Sequence, residues 1–236
     1  MTPCYLRAIN TLCRKEEFPL FTGLVEELGV VKHSKKTGHT ISITIQAEQI
    51  LEDMKIGDSI AVNGVCLTVT AFRDCLFTVD VMPNTFNDTT LRLLNSGTIV
   101  NLERAMAANG RFGGHFVSGH VDCTGMIIST KKIENSTLVE IQMPEEQIHL
   151  VMDKGSITID GTSLTVFQTT PTSIFVSLIP HTSKVSVIGN KRKGELVNIE
   201  FDLLAKYFYS FMNRDKNPAI KKDSTLTASF LRENGF

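Results

Sequence analysis

The sequence has no long apolar run and no excess of charge of either sign. No window approaches the ~18 consecutive apolar residues of a transmembrane helix, so we expect no membrane contact. Lys and Arg total 24 and Asp and Glu total 25, which gives a net charge of −1. Proteins that bind nucleic acid through its phosphates usually carry a large basic excess, so we expect no nucleic-acid partner.

Cysteine is scarce and unpatterned. The five cysteines are an odd number, widely spaced, and no CxxC occurs. We therefore expect no disulfide scaffold and no zinc site, and a reducing cytoplasm is the expected compartment. The first 20 residues lack the long apolar stretch of a secretory signal, and Glu16 and Glu17 fit poorly with an acid-poor transit leader.

The chain of 236 residues repeats itself after about 97 residues. Residues 62–69 (VNGVCLTV) align with 159–166 (IDGTSLTV), and 97–103 (GTIVNLE) align with 194–200 (GELVNIE). Several blocks in the same order at one offset indicate a duplicated domain, since this period is too long for a solenoid unit of ~20–50 residues.

The repeat divides the chain into four parts. We assign an N-terminal extension to 1–20, the first copy to 21–117, the second copy to 118–205 and a tail to 206–236. The glycine-rich stretch 108–114 joins the copies.

Short β-like runs fill each copy. Residues 41–45 alternate apolar and polar side chains, and 67–70 and 76–81 are rich in β-branched and aromatic residues. Many short strands with frequent turns predict an all-β fold with one closed barrel per copy. Brief helical stretches are expected at 48–54 and 145–152.

The tail begins with a helical pattern. Its apolar residues follow i, i+4, i+8 spacing and are Leu203, Leu204, Tyr207, Phe208, Phe211 and Met212. Such a face must be buried, either on a neighbouring subunit or on its own chain. Residues 213–224 are polar and predicted to be loose, and 226–232 are predicted to add a short helix.

Four motifs resemble the riboflavin synthase family. They are 21–25 (FTGLV), 63–69 (NGVCLTV), 113–122 (GGHFVSGHVD) and 160–166 (DGTSLTV). The resemblance covers about residues 21–205. It implies two tandem six-stranded Greek-key barrels followed by a C-terminal helix.

The resemblance also implies a reaction. Each barrel would bind one 6,7-dimethyl-8-ribityllumazine, and a four-carbon unit would pass from one molecule to the other. The products are riboflavin and 5-amino-6-(D-ribitylamino)uracil, and no metal or redox cofactor is implied. Holding both substrates would convert a bimolecular step into an effectively unimolecular one, an advantage of up to about 7–11 kcal/mol.

Partners follow from the same resemblance. The family forms homotrimers, with sites between the first barrel of one subunit and the second barrel of another. Lumazine synthase is a candidate partner.

The resemblance points to four candidate catalytic residues, Cys66, His120, Ser163 and Thr165. The resemblance places His120 in the site, where a histidine titrates in the range needed to help remove the C7 methyl proton; the alternative is a hydrogen-bonded structural histidine. Cys66 is either a substrate contact or small core filler. The hydroxyls of Ser163 and Thr165 either reach the ring or bond along the strand.

The resemblance further implies a larger set of substrate-binding residues. The set comprises Phe21, Thr22, Gly23, Leu24, Val25, Leu67, Thr68, Asp80, Val81, Met82, Pro83, Asn84, Thr85, Val121, Asp122, Lys154, Asp160, Leu164, Ser177, Leu178, Ile179, Pro180, His181, Thr182 and Asp202.

For several of these polar residues a structural role competes. Asp160 is either a substrate contact or a turn residue, and Asp202 either orients a hydroxyl or caps the tail helix. Lys154 precedes a glycine, where a solvated lysine is the ordinary expectation. His115 lies five residues before His120, which on a strand would place it on the opposite face, so we interpret it as structural.

The sequence departs from the family pattern at two places. Leu20 occupies the position of the initiator Met, so we hypothesise that native translation starts at codon 20. In the second copy, 184–189 (KVSVIG) replaces 87–91 (NDTTL), which predicts lost hydroxyl contacts near the second pocket.

Two competing functions remain. Antenna proteins of luminous bacteria resemble this family and bind a lumazine or flavin without turnover, but they tend to lose the polar site residues retained here. A flavoprotein reductase would need a nucleotide-binding domain, and no GxGxxG that follows a strand and opens a helix occurs.

Overall fold

The computed structural model describes residues 19–37, 40–213 and 232. Within this part, the chain forms two closed antiparallel barrels of six strands each, as predicted. The first barrel contains β1 (Glu27–Thr37), β2 (Thr40–Gln46), β3 (Ser59–Val62), β4 (Val65–Arg73), β5 (Leu76–Val81) and β6 (Ile99–Arg104).

The second barrel repeats the first. It contains β7 (Cys123–Ile133), β8 (Ser136–Gln142), β9 (Ser156–Ile159), β10 (Thr162–Thr169), β11 (Ser173–Leu178) and β12 (Leu196–Phe201). The strands follow the order β1-β2-β5-β4-β3-β6 in the first barrel and the equivalent cyclic order in the second. The duplication in the sequence is therefore a duplication of topology.

Alternation of side chains explains the barrel cores. Ile41, Ile43 and Ile45 of β2 are buried, and the residues between them are partly exposed. In β4, Val65, Leu67 and Val69 point inward, so that Cys66 and Thr68 lie on the outer face. The same period places Ser163 and Thr165 on the outer face of β10.

Short helices interrupt the strands. The α-helices α1 (Pro83–Asp88) and α2 (Pro180–Val185) each begin with a proline, whose fixed φ suits the first helical turn. The 3-10 helices span Gln49–Leu51, Thr90–Leu93, Glu145–Leu150 and Val187–Asn190. Two of them coincide with the predicted stretches 48–54 and 145–152 but are shorter.

Paired turns bring the two barrels together. Asn63 and Asp160 have φ angles of 45°, and Gly64 and Gly161, the glycines after them, have φ angles of 78° and 79°. A Cβ on Gly64 would lie 2.6 Å from the backbone nitrogen of Gly161. Only glycine allows this approach.

Two asparagines bridge the barrels in matching ways. The Asn101 side chain donates to the carbonyl of Asp160 and accepts from the amide of Val187. Asn198 donates to the carbonyl of Asn63 and accepts from the amide of Thr90. The barrels are thus related by an approximate two-fold arrangement.

The altered segment 184–189 keeps its hydrogen bond, contrary to the expected loss of contact. Ser186 Oγ donates to the carbonyl of Thr182 at 2.6 Å, as Thr89 Oγ1 does to Thr85. Val187 replaces Thr90, whose buried hydroxyl has no hydrogen-bond partner. The substitution therefore removes no side-chain contact.

The tail begins with α3 (Leu203–Met212), as the apolar spacing predicted. Tyr209 of this helix packs against His149, with ring centroids 4.1 Å apart and the ring planes tilted by 37°. No helix among the described residues is long and apolar enough to cross a membrane. The predicted loose segment 213–224 and the short helix 226–232 lie almost entirely outside the described residues, as does most of the extension 1–20.

Candidate active site

The segments that precede the two barrels pair with each other. Phe21 and Val117 form an isolated antiparallel bridge, with N···O distances of 2.8 and 3.2 Å. Phe21 is fully buried and packs with Ala61 and Val117. This bridge lets each segment lie on the outer face of the other copy's barrel.

The two crossing segments contact the two central candidate residues. The amide of Cys66 donates to the carbonyl of Gly119 at 2.8 Å, and the amide of Ser163 donates to that of Gly23 at 2.7 Å. Gly23 and Gly119 have φ angles of 76° and 77°. Each barrel therefore contributes its β4 or β10 face, and the other copy's segment completes the half-site.

Buried carboxylates anchor both segments. Glu103 of β6 accepts the Thr22 amide and hydroxyl on Oε1 and the Gly23 amide on Oε2, at 2.7–3.1 Å. Glu200 of β12 accepts the same three groups from Ser118 and Gly119. Burial raises the pKa of Glu103 to about 7, although the hydrogen bonds from Thr22 and Gly23 act to lower it. Burial also raises the pKa of Glu200.

The first half-site is the outer face around Cys66. Thr68 is exposed and pairs across the strands with Asp80, which accepts a hydrogen bond from Ser42 at 2.7 Å. Burial raises the pKa of the Cys66 thiol, with Glu200 adding to the effect. The thiol is therefore protonated at neutral pH.

The second half-site is the outer face around Ser163. Thr165 and Ser177 are exposed on the neighbouring strands β10 and β11. Ser163 Oγ lies 2.7 Å from Nδ1 of His115, and Nε2 of the same ring lies 3.1 Å from Thr158 Oγ1. Burial lowers the pKa of His115, although Asp202 opposes the effect. The ring is therefore neutral at pH 7.

Four further candidates lie on the crossing segments. His120 is exposed and follows Gly119 directly, beside Cys66. Leu24 is exposed and takes the equivalent place after Gly23, beside Ser163. Val121 is partly buried against the core of the first barrel, and Val25 is partly buried.

The loops after β5 and β11 carry the next candidates. Met82 and Ile179 are 73% and 58% exposed at the starts of α1 and α2. The remaining loop residues are partly buried or exposed and comprise Pro83, Asn84, Thr85, Pro180, His181 and Thr182.

Besides Phe21 and Thr22, which are buried in the crossing segments, five predicted contacts have their side chains in the interior rather than on an outer face. Leu67 and Val81 belong to the core of the first barrel, and Leu164 and Leu178 to that of the second. Asp160 is fully buried, where its Oδ1 accepts the Asn198 amide and its Oδ2 lies 3.3 Å from Lys191 Nζ. Its side chain therefore serves the contact between barrels.

Two acidic candidates hold the start of the tail helix. Asp122 accepts the Phe201 amide at 2.8 Å and pairs with Lys206 at 2.9 Å. Asp202 accepts the Leu204 amide at 2.9 Å, which is the helix-capping role considered from the sequence. Lys154 is exposed with a φ of 64°, a left-handed conformation unusual for lysine.

Sequence reasoning missed three residues of the site. His115 was placed on a strand, but it lies in an irregular segment and its ring contacts Ser163. Glu103 and Glu200 were overlooked, although apolar neighbours and the shared repeat position were a signal of burial.

Two cavities of the described chain differ in their relation to the candidate site. A cavity of about 310 Å³ beside the first crossing segment is lined by Thr22, Leu24 and Glu103 among others. A cavity of about 650 Å³ between the barrels is lined by Leu28, Thr90, Leu93 and Lys191 among others, and by none of the predicted site residues. Among residues 19–37 and 40–213, no group of three His, Cys, Asp or Glu side chains is arranged to hold a metal ion.

Comparison with known proteins finds the same duplication. The model of the lumazine binding domain matches the chain twice, at residues 22–105 and 118–202. The riboflavin synthase of Bacillus subtilis is 49% identical over 217 residues, covering 92% of this chain and all of that protein. The chain belongs to the riboflavin synthase family.

Other members of the riboflavin synthase family are similarly close. The riboflavin synthase of Saccharomyces cerevisiae is 42% identical over 88% of this chain and 92% of that protein.

Among solved structures, LumP complexed with riboflavin superposes with a TM-score of 0.71 at 27% identity, covering 77% of this chain and 98% of LumP. LumP complexed with 6,7-dimethyl-8-(1'-D-ribityl) lumazine gives a TM-score of 0.69.

Proposed function

We propose that the protein is a riboflavin synthase, a transferase that converts two molecules of 6,7-dimethyl-8-ribityllumazine into riboflavin and 5-amino-6-(D-ribitylamino)uracil. A four-carbon unit leaves one lumazine and joins the other. The observation that carries the proposal is the pair of crossed half-sites, each with a glycine carbonyl bonded to the amide of Cys66 or Ser163.

Related half-sites suit two identical substrates. Each offers an outer barrel face with polar side chains: the Thr68 hydroxyl and the Asp80 carboxylate on the first, and the Thr165 and Ser177 hydroxyls on the second. The half-sites also differ, because a thiol in one replaces the hydroxyl and imidazole of the other. Such a difference is needed because one lumazine donates carbon atoms and the other accepts them.

The catalytic roles follow from this placement. Cys66 and His120 would act at the first half-site, and Ser163 and Thr165 at the second. The exposed loop residues Met82 and Ile179 would cover the rings, and polar groups nearby would hold the ribityl chains. The buried Leu67, Val81, Leu164 and Leu178 would contribute only through their backbones.

A homotrimer would complete the sites. Both half-sites are open on one side in the single chain, so the first barrel of one subunit can meet the second barrel of another. The exposed face of α3, with Tyr207 and Phe208 each 67% exposed and Phe211 73% exposed, supports this assembly. Burial of such a face in a subunit contact would stabilise the trimer.

The proposed reaction and the free cysteines bear on the cofactors, the compartment and the partner of the protein. The reaction needs neither metal nor redox cofactor, because carbanion formation is assisted by the lumazine ring itself. Cys66, Cys75 and Cys123 are free thiols, which supports a reducing cytoplasm. Lumazine synthase, which would supply the substrate, is a candidate partner.

Incubation with the lumazine tests the proposal. Purified protein is mixed with 6,7-dimethyl-8-ribityllumazine in the presence of EDTA, and both products are followed by chromatography. We expect steady release of one riboflavin for every two lumazines consumed. Absence of turnover at saturating lumazine would contradict the proposal.

A flavin- or lumazine-binding protein without turnover is the second candidate. The structural similarity to LumP complexed with riboflavin and with a lumazine favours binding of such ligands. Tight binding measured by fluorescence, with no product over many hours, would favour this alternative.

A further inference from the structure

The outer face of the second barrel contains a hydrogen-bonded chain that the first barrel lacks. Ser163 and Thr158 are direct partners across β10 and β9. The ring of His115 joins their hydroxyls, through Nδ1 to Ser163 at 2.7 Å and through Nε2 to Thr158 at 3.1 Å. Both ring nitrogens are therefore occupied by hydroxyls.

The backbone holds this imidazole in place. The amide of His115 donates to the carbonyl of Thr22 at 3.2 Å. A Cβ on the preceding Gly114 would lie 1.8 Å from the same carbonyl, so that only glycine fits there. His115 is 8% exposed and Thr158 is 1% exposed, so the ring has little freedom to turn away from Ser163.

The matching positions of the first barrel carry no such chain. The repeat places Cys66 opposite Ser163 and Ala61 opposite Thr158, and Pro19 falls at the position of His115. Cys66 and Ala61 are cross-strand partners, as Ser163 and Thr158 are. The imidazole and its two hydroxyls are thus an addition specific to the second half-site.

We propose that His115 is a positioning residue for the reaction: its Nδ1 accepts a hydrogen bond from the Ser163 hydroxyl and thereby turns the lone pairs of Ser163 Oγ toward the open face beside Thr165. On this proposal the proton of the neutral imidazole is on Nε2, which then donates to Thr158 Oγ1, and Nδ1 is left as the acceptor from Ser163 Oγ. The inference rests on the proposed function, because it assigns chemistry to the substrate-binding face of the second barrel.

The charges around the ring set its protonation state. Asp202 is the carboxylate that acts on the ring and favours its charged form. Glu103 holds Thr22, against which the His115 backbone lies, and Glu200 pairs with Thr158 across β12 and β9. Protonation of the ring would make Nδ1 a donor and turn the Ser163 lone pair away from the substrate, so activity should fall on the acid side.

Coupled substitutions test the proposal in the full-length protein. We expect His115→Gln to lower kcat about 100-fold, the scale of a small misplacement of a reacting group, with KM changed less than about threefold. His115→Asn, whose amide can approach the Nδ1 position, should retain more of kcat and keep the chain folded. His33→Gln, at an exposed residue of β1, is the matched control and should leave kcat unchanged.

The effect of His115→Gln in two further variants distinguishes positioning of Ser163 from general structural support. In a Ser163→Ala background, His115→Gln should lower kcat by less than about twofold, because the hydroxyl it orients is gone. In a Cys66→Ala background, the full factor should remain. An equal loss in both backgrounds, or a rise in KM as large as the fall in kcat, would overturn the proposal.

A second readout does not depend on turnover. In Ser163→Cys, the new thiol lies beside His115, and its alkylation by iodoacetamide is followed by peptide mass spectrometry as a function of pH. We expect His115→Gln to move the midpoint of alkylation upward by about one pH unit or more. An unchanged midpoint would overturn the contact with His115 whether or not the protein makes riboflavin, whereas failure of the wild type to form riboflavin would count against the proposed function alone.

Discussion

The backbone of Gly119 lies directly on Cys66. The carbonyl of Gly119 accepts the Cys66 amide at 2.8 Å, and a Cβ added to Gly119 would lie 2.5 Å from the Cys66 Cβ. Gly23 and Ser163 repeat this contact on the other barrel. The position of His120, the residue after Gly119, is therefore fixed by a contact between the two copies.

A methyl group at residue 119 should displace this segment. We expect Gly119→Ala to lower kcat/KM for riboflavin formation by about 100-fold, because His120 would shift relative to Cys66. Gly97→Ala is the matched control, since Gly97 has a φ of 89° and no atom within 4 Å of the added Cβ. It carries the same left-handed strain of about 1–2 kcal/mol without the clash. Equal activity of the two variants would contradict the prediction.

The Glu103 carboxylate should make stability depend on pH. Burial raises its pKa to about 7 in the folded chain, whereas an unfolded glutamate keeps its ordinary value of 4.5. Between these values the folded state binds more protons, so the free energy of unfolding falls as pH rises from about 4.5 to about 7. Because a tenfold change in proton affinity corresponds to about 1.4 kcal/mol, the loss of stability reaches at most about 3 kcal/mol.

Replacement of Glu103 by glutamine should remove that dependence. Urea unfolding at pH 5 and pH 8, at one protein concentration, should show the advantage of the wild type over Glu103→Gln shrinking as pH rises. Glu27→Gln is the control, because Glu27 also accepts two backbone amides, from Glu48 and Ile50, but outside the candidate site. An advantage that is constant or grows with pH would count against the raised pKa.

The repeat and the alternation of side chains predict most of the fold but only part of the site. Alternation along β4 and β10 places Leu67 and Leu164 inward once Cys66 and Ser163 face outward. The sequence alone could therefore have excluded Leu67 and Leu164 from the side chains predicted to contact substrate. His115 could not have been assigned in this way. Its segment has no regular structure, and its partners Ser163 and Thr158 lie 48 and 43 residues further along the chain.

The apolar face of α3 should control assembly and activity together. We expect the double substitution Phe208→Asp and Phe211→Asp to give a single-chain species in sedimentation, because charges on this face oppose its burial. Circular dichroism should show intact barrels, while riboflavin formation falls more than tenfold because each half-site loses its partner. Ser210 is exposed and does not belong to the apolar residues of α3, so Ser210→Asp should sediment and react like the wild type. A fully active single-chain species would refute intersubunit sites.

The ion pair of Asp160 and Lys191 should be replaceable only as a pair. Asp160 is fully buried, and its Oδ2 lies 3.3 Å from Lys191 Nζ. In the first barrel the equivalent residues are Asn63 and Leu94, so an amide and an apolar side chain fill the same places there. Lys191→Leu alone should lower the free energy of unfolding by about 3–5 kcal/mol, because it leaves a buried charge without a partner.

The double variant separates charge compensation from simple packing. Asp160→Asn combined with Lys191→Leu reproduces the first barrel, and its amide oxygen can still accept the Asn198 amide, as Asn63 accepts that of Asn101. We expect its free energy of unfolding to return to within about 1 kcal/mol of the wild type, since a neutral pair avoids the desolvation of two ions. The single variant Asp160→Asn completes the comparison. If the loss in the double variant equals the sum of the losses in the two single variants, Lys191 stabilises the barrel contact through packing and through its hydrogen bond to the Leu196 carbonyl, and not through the charge of Asp160.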